Sequence, residues 1–195
     1  MVKKLLKDGE NYLGSLSLLM DNIMENFKNN QKMENLVNEC KRIEEDSTYT
    51  AEAHYLLAAS LSKKSFWFKF IPVIITGLSA LALLLGSPNW VSWITPISSI
   101  IAITNIILEP EGKAGEHEFA AKSFTVLKHD ARSLYESFKD FMDEKDFYYE
   151  VKRIREKYNW LVQTTPPTDE KSFEKARERI KKRIHKPDFK EKNRK

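Results

Sequence analysis

Very little in this sequence points to chemistry. It has one cysteine, Cys40, so it has no internal disulfide, no Cys-Cys zinc spacing and no sign of an oxidising compartment. Cys40 stands at helical spacing with Met33, Leu36 and Ile43, the setting of a plain buried thiol. The glycines form no phosphate-cradling loop. The histidines are His54, His117, His129 and His185. Glu116-His117-Glu118 resembles a fragment of a metal motif, but no second histidine follows four residues on. His129 and Asp130 are adjacent, so on a helix they do not face each other. The opening MVKKLLKDGE has positive charge but no apolar run of signal-peptide length. No strand pattern competes anywhere. These absences argue against an enzyme, and the sequence calls for no cofactor and no metal.

The most informative absence is local. The chain is 31% charged overall, yet Phe70 to Leu108 contains no Asp, Glu, Lys, Arg or His. Two apolar runs make up this region and its approach. FWFKFIPVIITGLSALALLL spans Phe66 to Leu85, and WVSWITPISSIIAITNIIL spans Trp90 to Leu108. Each has the roughly 20 residues that a helix needs to cross a hydrocarbon core of about 30 Å. Gly86-Ser87-Pro88-Asn89 joins them, so the helices must lie antiparallel as neighbours. Trp67 and Lys69 at the start of the first run, and Trp90 and Trp93 at the start of the second, are expected to anchor the two interfaces. The turn has no basic residue, whereas Lys63, Lys64 and Lys69 precede the hairpin and Lys113 and Lys122 follow it. The positive-inside rule then places both termini in the cytoplasm. The competing reading, a buried hairpin in a soluble core, lacks enough other apolar sequence to wrap two all-round hydrophobic helices.

The flanking parts read as amphipathic helices. Leu13, Leu16, Met20, Ile23 and Phe27 step by three and four, and a second segment continues after Asn29-Asn30. A third begins near Thr50 and runs into the first membrane helix. Glu109-Pro110-Glu111-Gly112 marks a stop or kink. Ala120, Phe124, Leu127, Ala131, Leu134, Phe138 and Phe141 then form a heptad seam, able to pack within one chain or between chains. Asp143 caps a helix with a second seam of Phe147, Val151, Ile154, Tyr158 and Leu161. Gln163 to Pro167 is a linker, and Thr168 caps a last helix with Phe173, Ala176, Ile180 and Ile184 on one face. The expected fold is all-α: a two-helix transmembrane hairpin continuous with a cytoplasmic helical bundle or coiled coil. Its parts are N-terminal helices (1–48), a helix entering the membrane (49–65), the hairpin (66–108), the heptad helices (113–163) and a basic helix and tail (168–195). Residues 171–195 hold twelve basic and four acidic residues. Such a tail suits an anionic inner leaflet, a phosphate-bearing ligand or plain solvent, with nucleic acid ranking last.

Within the second run Thr95, Ser98, Ala102 and Asn105 step by 3-4-3, Ser99 lies beside them, and Glu109 follows four residues after Asn105. In lipid such a stripe must meet another helix or water, so it is either a packing face or the lining of a pore. Two helices cannot enclose a channel, so a pore requires a homo-oligomer. Pro72 and Pro96 are the bend points, since each removes a helical hydrogen bond.

An amphipathic helix entering the membrane at SKKSFWFKF, the short turn GSPNW, and the departing helix GEHEFAAKSFTVLKHDARSLYESF together resemble the SLATT family, the SMODS and SLOG-associating two-transmembrane effectors. The resemblance covers roughly Thr50 to Pro187. It implies a bacterial inner-membrane effector of anti-phage defence, working beside a nucleotide-synthesising or nucleotide-sensing partner. It also implies a protein that oligomerises into a pore, depolarises the membrane and arrests growth. No catalytic or ligand-binding residue comes with it. The alternatives are a non-conducting membrane anchor for a soluble partner and a holin-like lysis protein.

Overall fold

The computed structural model describes residues 2–86 and 93–182, and within them all side chains except those of residues 2–19, 21, 22, 26 and 95. All regular structure among the described residues is helical. Helix α1 runs without a break over Val2–Leu84, about 125 Å at 1.5 Å per residue. The separate N-terminal segments expected on either side of Asn29-Asn30 are therefore one helix. Asn is a poor helix former, but the cost of such a pair is well under 2 kcal/mol and no proline interrupts α1 before Pro72.

Leu85 and Gly86 close the helix, with Gly86 at φ 75°, a left-handed setting in which a side chain would be strained. The tip residues Ser87, Pro88, Asn89 and Trp90 lie outside the described residues. Helix α2 spans Ile94–Leu108. Its 15 residues cover only about 22 Å, shorter than the 19-residue run read from the sequence, whose first residues are not described.

Glu109 ends α2 at φ 45° and ψ 49°, and α3 (Pro110–Ser133) starts at once with Pro110 in its first turn. The proline needs no amide donor there, so the chain bends without losing a hydrogen bond. A π-helical turn (Leu134–Phe138) and a 3-10 turn (Lys139–Phe141) follow. Helix α4 covers Glu144–Thr164 and α5 covers Glu170–Lys181. The Asp143 carboxylate accepts the Asp146 amide at 2.7 Å, the expected cap. For α5 the cap is Asp169, not Thr168: its carboxylate accepts the Ser172 amide at 2.9 Å. That register turns Ser172 and Ala176 inward and leaves Phe173 exposed; Ile184 lies outside the described residues.

The core forms where α1 meets α3 and α4. Cys40 and Ile43 pack with Phe124, Leu127, Ala131 and Leu134 and with Phe147, Val151, Ile154 and Leu161. Both seams thus pack within one chain, the first through its five leading residues. Phe138 and Phe141 are 55% and 87% exposed. The π turn closes hydrogen bonds five residues apart, which rotates everything after Leu134 off the seam.

Candidate functional site

The candidate site is the hairpin together with the part of the bundle beneath it. Three contacts set its register. His54 meets His117, Lys69 pairs with Glu111, and Thr76 meets Ser98. As the α1 number rises the partner number falls, so α1 runs antiparallel to α2 and α3. Lys69, expected at the headgroup level, pairs its ammonium with Glu111 in the first turn of α3, next to the Glu109 bend. A Cβ on Gly112 would come within 3.1 Å of the Glu109 carboxylate, so glycine lets that side chain lie back across the bend.

Higher up, the Thr76 and Ser98 hydroxyls are 3.0 Å apart and Ser98 is buried, so the middle of the polar stripe faces α1. Beside them is a groove of about 350 Å³ lined by Pro72, Val73, Thr76, Gly77, Ser99 and Ala102. Nothing lies within 4 Å of a Cβ built on Gly77, so this glycine borders open space and does not serve close helix approach within the chain. Ser99 and Glu109 are exposed, while Ala102 and Asn105 are partly buried. The Asn105 side-chain carbonyl is buried with no hydrogen-bond partner among the described residues. Thr95 belongs to α2, but its side chain lies outside the described residues. Of the interface aromatics, Trp67 and Trp93 are 50% and 76% exposed, and Trp90 is not described.

The two prolines differ. Pro72 lies inside α1 and is buried, and it leaves the Phe68 carbonyl without its helical donor. Pro96 is the third residue of α2, where the missing amide would have had no partner anyway. Pro96 thus sits in the opening turn of α2, whereas Pro72 stands well inside α1.

Below the bend lies a pair that sequence reasoning missed. His54 and His117 are both buried, with their Nδ1 atoms 2.9 Å apart, and His54 stacks on Phe124 at 5.9 Å between ring centroids. One Nδ1–H donates and the other Nδ1 accepts, so at least one ring is neutral. Burial, and then the neighbouring His117, pushes the His54 pKa from 6.5 down to about 4. Burial also lowers His117, against the pull of the Glu116 and Asp169 carboxylates. The signal was periodicity: His117 lies three before Ala120, and His54 three after Ala51, each on a buried face. Among the described residues no cluster of three or more His, Cys, Asp or Glu could hold a metal.

Other polar contacts tie the bundle. Tyr135 donates to Glu44 at 2.6 Å, and Arg179 of α5 donates to the largely buried Glu52 at 2.8 Å. Burial pushes the Cys40 thiol up to about 11, with the adjacent Glu39 adding to it.

A family model described as "SMODS and SLOG-associating 2TM effector domain family 4" matches residues 33–192. No curated protein and no solved structure matches the chain.

Proposed function

This chain belongs to family 4 of the SMODS and SLOG-associating two-transmembrane effectors, and we propose that it acts by forming an oligomeric pore that depolarises the bacterial inner membrane and arrests growth. The observation that carries this reading is an apolar helix without a protein cover. Only 11% of the most apolar 18-residue window of α1 is buried. Leu78, Leu84, Ile106 and Ile107 are all more than 60% exposed. Apolar surface of this extent calls for lipid or further copies.

The Asn105 carbonyl supports a pore over a plain anchor. A buried acceptor without a donor costs about 1–3 kcal/mol, and water in a lumen or a side chain of another copy would supply the donor. Thr95, Ser99, Ala102 and Glu109 are the further lining positions on this reading, with Ser98 held by Thr76 behind them. Both termini face the cytoplasm, following the basic residues on either side of the hairpin. The bundle receives the signal from a partner that makes or senses a nucleotide. Gating then passes through the Lys69–Glu111 contact and the bend point at Pro72.

The test is expression in bacteria with a membrane-potential dye. Depolarisation on triggering or overexpression is expected, and a potential that never changes overturns the pore. One observation favours a non-conducting anchor: Ser98 is buried against Thr76, so the middle of the stripe is already occupied within the chain. Stable capture of a soluble partner with unchanged ion flux selects that reading. Release of cytoplasmic proteins selects a holin-like one.

A further inference from the structure

Helix α1 outruns the bundle that it helps to build. Among the described side chains of α1, the first that pack on the core belong to Met33, Leu36 and Val37. Some thirty residues of helix precede them, and the family match begins only at residue 33. In this arm Met20, Ile23 and Phe27 are 60%, 52% and 72% exposed. The cleft beside Met24 and Phe27 is lined by α1 residues alone, from Met24 to Glu34. Met20, Ile23 and Phe27 belong to the repeat that starts at Leu13 and Leu16, and none of the three is among the described residues that pack on the core.

The repeat identifies what covers it. Leu13, Met20 and Phe27 occupy a positions and Leu16 and Ile23 occupy d positions, the register of a coiled-coil seam. In residues 6–28 the charged positions are Lys7, Asp8, Glu10, Asp21, Glu25 and Lys28. All but Glu10, at e, fall at b, c or f, on the side away from the seam. A copy of the same helix therefore meets the seam with almost no like-charge opposition. One flank is largely apolar, with Tyr12 and Leu19 ahead of Asn26 at g, while the e flank carries Glu10, Ser17 and Met24. The apolar g flank widens the seam into a face broad enough to touch more than one neighbouring helix. Distance disfavours lipid for an arm that continues the line of the membrane helix. Phe27 stands about 58 Å along the helix from Phe66, where the apolar run begins.

We infer that residues 2–30 of α1 are the self-association surface, a stalk in which the arms of several copies form one parallel coiled coil held away from the membrane. That an oligomer is needed at all rests on the pore reading above; the surface itself stands on the heptad register, the exposure and the charge placement.

The test uses the full chain in bacterial membranes and in detergent micelles. Ile23→Cys under mild oxidation should yield a covalent dimer of doubled mass. Glu25→Cys, at an f position, should not, and neither should the wild type, whose one cysteine is buried. The double change Ile23→Glu with Phe27→Glu should lower the light-scattering mass of the micelle-extracted protein at least threefold. Helix content should hold within a few per cent, because both side chains are solvent-facing in the protomer. Lys28→Glu, at b, should leave the mass unchanged. An unaltered multimer in the double variant overturns the proposal, as does an Ile23→Cys product that contains only a foreign protein. If the arm variants abolish the multimer while the wild type never depolarises cells, the pore reading falls and the stalk stands. If depolarisation and mass both survive the arm variants, the stalk falls and the pore reading stands.

Discussion

Acidification should loosen the junction between bundle and hairpin, through His54 and His117. The two rings share one hydrogen bond at 2.9 Å in a buried site between α1 and α3. His54 has its pKa lowered from 6.5 to about 4 on folding. The unfolded chain therefore takes up this proton first as pH falls, so stability is full above about 6.5 and is lost on the way toward 4. From about pH 7.5 to pH 5, His54 alone accounts for a loss on the order of 2 kcal/mol. His117 is lowered as well, so it adds with the same sign. For a chain of this length 2 kcal/mol corresponds to roughly 4–8 °C in Tm. The assay is thermal unfolding of the micelle-bound full chain, followed by circular dichroism across that pH range. Changing both residues together, His54→Leu with His117→Leu, removes the titration without leaving either ring's polar atom unpaired. The fall in Tm on acidification should shrink by most of that 4–8 °C. An identical pH slope in the double variant, or a wild type that becomes more stable as pH falls, would refute the reasoning.

Other predictions follow from packing and from the hairpin. Phe124→Ala empties the fully buried centre where the His54 ring and Tyr158 meet; it should cost about 3–5 kcal/mol, read as a lower Tm in the same unfolding assay. The Cys40 thiol is fully buried and its pKa is raised to about 11, so maleimide labelling near pH 8 should be negligible in the folded protein and fast after denaturation. Rapid labelling of the native state would contradict the α1–α4 packing. Asn105→Leu removes a buried carbonyl that has no partner among the described residues. It should leave membrane insertion intact and reduce depolarisation, whereas unchanged depolarisation assigns the stripe to packing alone.

Several features were legible because their causes are local. The apolar runs, the bend at Glu109-Pro110, the Asp143 cap and the second seam all depend on residues within a few positions of one another. The first seam was legible as far as Leu134. Beyond it, no glycine or proline warns of the π turn that exposes Phe138 and Phe141. Thr168 and Asp169 are both good caps on paper; the choice between them follows from which register buries Ser172 and Ala176. Asn29-Asn30 resembles a break, yet two weak helix formers inside a long helix cost less than stopping it.

By itself, the sequence determined that the chain is helical, that it holds an uncharged stretch long enough for a membrane hairpin, and where that stretch ends. Composition and spacing settle those matters without reference to distant residues. Only the tertiary structure decided which faces meet. His54 and His117 are 63 residues apart, Tyr135 and Glu44 are 91 apart, and Arg179 and Glu52 are 127 apart. Each pairing depends on how the chain re-enters below the Glu109 bend and on the register in which α3 returns along α1. Periodicity assigns a residue to a helix face, but contact between two faces depends on the relative placement of whole helices.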